Sequence, residues 1–240
     1  MTSAQEKYAT RRALFQGVRD GLPYVLVIVP FALLFGVVAT EAGLKVAEVL
    51  GFSVLVIAGA AQFTAVSQMA ADTPTLIIIL TAAAVNLRMA MYSASLVPHL
   101  GAAPLWKRAL VAYLMVDQAY VVSIAKYELE PELTLSAKLA YYFGIMVPIA
   151  PAWYSASLVG AVVGGAIPPE YALDFAIPIT FLAMIAPMLK TLPHVVAAAT
   201  SVGVALAASG LPYGTGLLIA GMAAMGAGAL VEIWLERRAT

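Results

Sequence analysis

The feature that most constrains this chain is its long unbroken apolar runs. VLVIVPFALLFGVVA (25–39) is one of several, and none alternates polar with apolar residues. A membrane β-strand needs such alternation in blocks of about ten residues. A spanning helix needs about 20 mostly apolar residues, which these runs supply. Of the 240 residues, 62% are hydrophobic and 11% are charged. A soluble domain carries about 25% charge, and one core of this size cannot hide such an excess of apolar surface. The expected class is an all-α, polytopic membrane protein whose solvent is the lipid bilayer.

Candidate spans fall near 22–40, 47–70, 74–97, 109–126, 137–164, 171–190, 193–209 and 212–235. The count is seven or eight, because 47–70 contains Gly51, Gly59, Gln62 and Gln68 and reads as broken or re-entrant. One integral membrane domain covers 1–240, with 1–20 as an N-terminal segment. That segment is polar and basic and lacks the layout of a signal peptide. Lys7, Arg11, Arg12 and Arg19 predict a cytoplasmic N-terminus and a multi-pass inner-membrane location. In an eight-span reading Lys107 and Arg108 lie on the opposite side, against the same rule. RDGLPYVLVIVP (19–30) and LDFAIPITFLAMIAP (173–187) each place an acid before two prolines, a hint of an inverted repeat with broken helices.

Zero net charge gives no reason to expect nucleic acid. With no cysteine and only His99 and His194, no thiolate or multi-histidine metal site is expected, nor any cofactor. There is no G-x-S-x-G, H-E-x-x-H, G-x-G-x-x-G or P-loop, so the chain is not expected to be an enzyme.

The polar residues inside the spans carry the functional signal. Arg88, in VNLRMAMYS (85–93), lies near the middle of its span, where a lone arginine costs about 2.5–3.5 kcal/mol on insertion scales. Asp117, in the next span, is its expected partner. Asn86, Tyr92 and Ser93 share the first of these helices, and Gln118 and Tyr120 the second. The pair reads either as a buried register lock or as a substrate or proton site. A substrate carboxylate that competed for Arg88 would release Asp117 for proton coupling. Gln62, in AGAAQF (58–63), suits an unwound backbone that faces substrate. Asp20 and Asp174, at span edges, are the further candidates for proton coupling. A zwitterion leaving water needs both charges met. Arg88 could hold an amino acid's carboxylate, and an acid or a helix end its ammonium.

GVRDGLPYVLVIVPFALLFGVVATEAGL (17–44), AGAAQFTAV (58–66), VNLRMAMYSASLVPHL (85–100), VDQAY (116–120) and LDFAIPITFLAMIAPML (173–189) together resemble the AzlC-type branched-chain amino acid exporters. They occur in the family's order and cover most of the chain. The family usually has Asp-Glu where this chain has Asp117-Gln118, so no role for the second acid carries over. The resemblance implies export of leucine, isoleucine, valine or similar amino acids, driven by the proton gradient. It also implies a small AzlD-type membrane partner. The rival expectations are a transporter or channel for another small solute, and a non-transporting membrane scaffold subunit.

Overall fold

The structure is a computed structural model that describes residues 3–164, 189, 191–211 and 215–239. Every regular element among them is a helix: α1 (Ser3–Glu41), α2 (Val46–Leu55), α3 (Gly59–Ala70), α4 (Thr75–Leu100), α5 (Leu105–Tyr113), α6 (Asp117–Leu129), α7 (Leu135–Gly164), α8 (Leu192–Ala207) and α9 (Thr215–Ala239). Four of them, α1, α4, α7 and α9, are long and apolar enough to cross a membrane. The polytopic helical class expected from the sequence therefore stands. The span expected at 171–190 lies outside the described residues, and with it Asp174 and Lys190.

The chain divides into two compact units, Met1–Phe63 with Val85–Pro168, and Thr64–Ala84 with Pro169–Thr240. The spine of the first is α1 against α7. Polar N-terminal residues and the first apolar run form one helix of 39 residues, about 58 Å long at 1.5 Å per residue. Small residues let the two backbones touch. A β-carbon at Gly17 would fall on the Tyr141 carbonyl oxygen, one at Gly144 on that of Leu14, and one at Gly160 on that of Leu33. Lipid provides no hydrophobic drive between helices, so close packing of this kind is what holds them. Gly17 meets Tyr141 and Gly36 meets Ser157, so the contacts climb both helices together and α1 and α7 run parallel.

The same reasoning orients the other helices of this unit. Along α5, Trp106 and Lys107 share a groove with Ser136. Further on, Val111 meets Tyr142 and Tyr113 meets Tyr154, so α5 also runs with α7. Helix α6 returns. The Tyr127 hydroxyl donates to the Lys138 carbonyl at 2.8 Å, and its ring lies 6.5 Å from that of Tyr141. Thus α5 and α6 form a hairpin that enters and leaves on the face where α1 begins.

Helix α4 runs with α6, pairing Arg88 with Asp117, Tyr92 with Tyr120 and His99 with Tyr127. It is therefore antiparallel to α1. Helix α2 starts beside the end of α1, where the Leu44 amide donates to the Ala39 carbonyl, and ends at Val54, beside Tyr113 at the tip of α5, so it enters from the opposite side. Of the stretches read as spans, 47–70 is broken at 56–58 and 109–126 turns back at 114–116. The first carried that expectation; the second is a revision. Lys107 now shares a face with Lys7 and Arg11, and the conflict with the positive-charge rule disappears.

The broken stretches α2–α3 and α5–α6 have legs of nearly equal length, 10 and 12 residues against 9 and 13, with three-residue breaks at 56–58 and 114–116. The repeat hinted at by 19–30 and 173–187 falls partly outside the described residues. In the second unit α8 and α9 pair antiparallel, Gly216 against Ala208 and Gly228 against Ala197.

Two outcomes are expected. Gly160→Leu should abolish the folded α1–α7 pair, read as loss of monodisperse protein in detergent. Because the chain has no cysteine, single Ala102→Cys and Glu132→Cys variants can be labelled from either side. The hairpin places both on one side of the membrane; a crossing α5–α6 would place them on opposite sides.

Candidate functional site

A helix that stops inside a bilayer leaves its last carbonyls and first amides without partners, and lipid offers no water to satisfy them. Tyrosine hydroxyls fill this role here. At the end of α2, the Phe52 carbonyl accepts from the Val56 amide and the Val54 carbonyl from the Tyr113 hydroxyl at 2.5 Å. At the end of α5, the Leu110 carbonyl accepts from the Leu114 amide and the Val111 carbonyl from the buried Tyr142 hydroxyl at 2.9 Å. Tyr113 is itself the last residue of α5 and also meets the Tyr154 hydroxyl at 3.1 Å. The ends of α2 and α5, entering from opposite faces, are thus tied directly to each other.

Asp117 is the first residue of α6, after Val116 in extended conformation (φ −129°, ψ 159°). An acid at this position is favoured by the unpaired amides and positive dipole end of the helix. Arg88, at the middle of α4, places Nη2 3.2 Å from Asp117 Oδ2. The expected pair is therefore present, although its helices run parallel rather than as the antiparallel neighbours the sequence suggested. Arg88, Tyr92 and Ser95 are spaced i, i+4, i+7 and share one face of α4. Asp117 and Tyr120 stand i, i+3 on α6. The Tyr92 and Tyr120 rings stack at 4.1 Å and 9°, and the Tyr120 hydroxyl donates to Ser95 at 3.0 Å. The Tyr92 hydroxyl is close enough to interact with both Asp117 and Arg88.

The pair is incompletely satisfied. Arg88 Nε, Asp117 Oδ1 and Asn86 Oδ1 are buried and have no hydrogen-bond partner among the described residues.

The remaining candidates lie apart from the pair. Gln62, in the first turn of α3, is fully buried, and its amide has no hydrogen-bond partner among the described residues. Around that break Phe31 packs on Phe63 at 4.8 Å and on Trp153 at 5.9 Å, and Phe35 reaches Phe52 at 6.0 Å. Asp20, on α1, accepts a 2.6 Å hydrogen bond from Tyr141. It belongs to a cluster near the α6–α7 turn, where Lys126 lies over the Tyr141 ring and pairs with Glu130. Asp174 lies outside the described residues. Tyr113, Tyr142 and Tyr141 were not singled out in the sequence. A tyrosine within five residues of a span's midpoint is the signal that could have flagged Tyr113.

This architecture defines a class: a polytopic helical membrane protein in which two helices, α2 and α5, stop against each other and an ionisable pair lies beside the break after α5. The comparisons with known proteins narrow it. Residues 23–167, more than half of the chain, match the family described as AzlC protein, and the chain belongs to that family. It is 28% identical over 179 residues to the inner membrane protein YgaZ of Escherichia coli (strain K12), covering 71% of each chain. It is 28% identical over 203 residues to an uncharacterized membrane protein of Archaeoglobus fulgidus, covering 82% of this chain and 86% of that one. No solved structure matches. Family and relatives place this chain in a membrane as a multi-pass protein.

Removing the Tyr142 hydroxyl strands the Val111 carbonyl, which should cost about 1–3 kcal/mol. Tyr142→Phe is expected to lower the thermal midpoint in detergent by several degrees. Tyr24→Phe, on α1, serves as the control, with a change within error.

Proposed function

We propose that this chain is the large subunit of a secondary transporter that exports branched-chain, aliphatic amino acids, with protons as the coupling ion. It acts with a small AzlD-type membrane subunit, and the face bearing Lys7, Arg11 and Lys107 is cytoplasmic. The observation that carries the reading is the Arg88–Asp117 pair at the start of a half-helix, with Arg88 Nε and Asp117 Oδ1 still unpaired.

The site offers both charges that a zwitterion must replace on leaving water. Arg88 and the amides of α6 suit a carboxylate. The closing carbonyls of α2 and α5, at the negative ends of their dipoles, suit an ammonium. Beside the α5 tip a groove of about 360 Å3 is walled by Leu96, Val97, Val111 and Met115. Its walls suit an aliphatic side chain. A substrate carboxylate that takes Arg88 displaces Asp117, and the freed carboxyl group is the proposed proton carrier. Gln62 serves as a polar helper beside the other break. No covalent chemistry is proposed.

Two helix ends meeting halfway also suit a passive channel for a small solute, and counterflow separates the two readings. In proteoliposomes with the small subunit, labelled leucine should enter against unlabelled internal leucine with saturation. Arg88→Ala should lose at least tenfold of that exchange while remaining folded. Flux that does not saturate and ignores internal leucine would support the channel. Exchange unchanged in Arg88→Ala would remove the pair from the substrate path. Asp117→Asn is expected to flatten the pH dependence of net export; an unchanged profile would exclude Asp117 as the carrier.

A further inference from the structure

Away from the pair, α1, α5 and α7 enclose a groove of about 890 Å3 at the face where α1 begins. All three helices give it the same gradient. Along α1, Lys7 and Arg11 are followed by Leu14; along α5, Trp106 and Lys107 by Leu110; along α7, Ser136 by Leu139 and Phe143. Each helix is polar at its start and apolar one or two turns inward. Three cations crown the groove against one acid, Glu6, whose carboxylate is engaged by the Ser136 hydroxyl at 3.3 Å. The exposed Trp106 ring has the Lys107 ammonium 5.4 Å from its centre, an amphipathic pair suited to the headgroup level of a bilayer.

We propose that this groove is a binding site for an anionic phospholipid. Its phosphate sits among Lys7, Arg11 and Lys107, and an acyl chain runs along Leu14, Leu110, Leu139 and Phe143. Charge complementarity selects the headgroup, because basic pockets between transmembrane helices bind anionic lipid heads. The apolar floor distinguishes a lipid from a free phosphate, which would gain nothing from leucines and a phenylalanine. The site lies at the foot of α5, whose tip carries Tyr113 and leads into Asp117. A lipid here would brace the hairpin from below.

The test uses the full chain in phosphatidylcholine nanodiscs doped with phosphatidylglycerol brominated on its acyl chains, with tryptophan quenching as the readout. Quenching should saturate at low phosphatidylglycerol fraction, and Trp106→Phe should lose that component. Lys7→Ala/Arg11→Ala/Lys107→Ala should weaken it by roughly a hundredfold, from about a factor of five for each of the three charges. Lys107→Ala alone, which removes one side chain from an exposed helix start, should give a partial loss and covers the case in which the triple variant fails to fold. Lys45→Ala, removing an exposed charge beside the far end of α1, should leave the quenching intact. Equal quenching by brominated phosphatidylcholine would overturn the proposal in favour of ordinary lipid contact. So would displacement by inorganic phosphate alone, which would make the groove a simple anion site.

Discussion

Two helices stop halfway through a bilayer, and the rest of the structure depends on how their ends are satisfied. Each unpaired carbonyl in hydrocarbon would cost several kcal/mol. The Tyr113 and Tyr142 hydroxyls meet two of these groups, and the backbone amides that open each break, Val56 and Leu114, meet others. Because Tyr113 belongs to α5 and Val54 to α2, this repair also joins the two helix ends. The close α1–α7 contact provides the scaffold, with glycines letting α7 bring Tyr142 and Tyr154 to the breaks.

The functional consequence is a mid-depth region with mixed polarity. Half-helix starts present amides, half-helix ends present carbonyls, and Arg88 and Asp117 add full charges of opposite sign. A continuous span could not offer these groups, because its backbone is spent on its own hydrogen bonds. The stacked Tyr92–Tyr120 pair fixes α4 against α6 one turn beyond the ion pair. Geometry at Arg88 is thereby held by packing rather than by the ion pair alone.

Arg88 and Asp117 were legible in the sequence, because a charge inside an apolar run is expensive and needs a nearby opposite charge. The break at 56–58 was legible too, through Gly59 and Gln62. The break at 114–116 was not: Leu114, Met115 and Val116 are as apolar as their neighbours, and no glycine or proline marks it. Span counting by length therefore read a 25-residue hairpin as a crossing. Asp20 looked like a free edge acid because its partner, Tyr141, stands 121 residues away. Contacts at such separation leave no local pattern. The side assigned to Lys107 depends on the stretches that precede it, 22–40, 47–70 and 74–97, so the conflict in the charge distribution came from counting the broken 47–70 as a full crossing.

The proposed site requires Arg88 and Asp117 to be energetically coupled beside the break after α5. The most direct measurement is a double-mutant cycle on thermal or denaturant stability, using Arg88→Ala, Asp117→Ala and both together. Coupled residues in contact show interaction energies of about 0.5–3 kcal/mol. A value in that range is expected, with the double variant closer to wild type than the sum of the single losses. Additive losses, with coupling near zero, would contradict it and separate the two charges that the proposed site requires to be together.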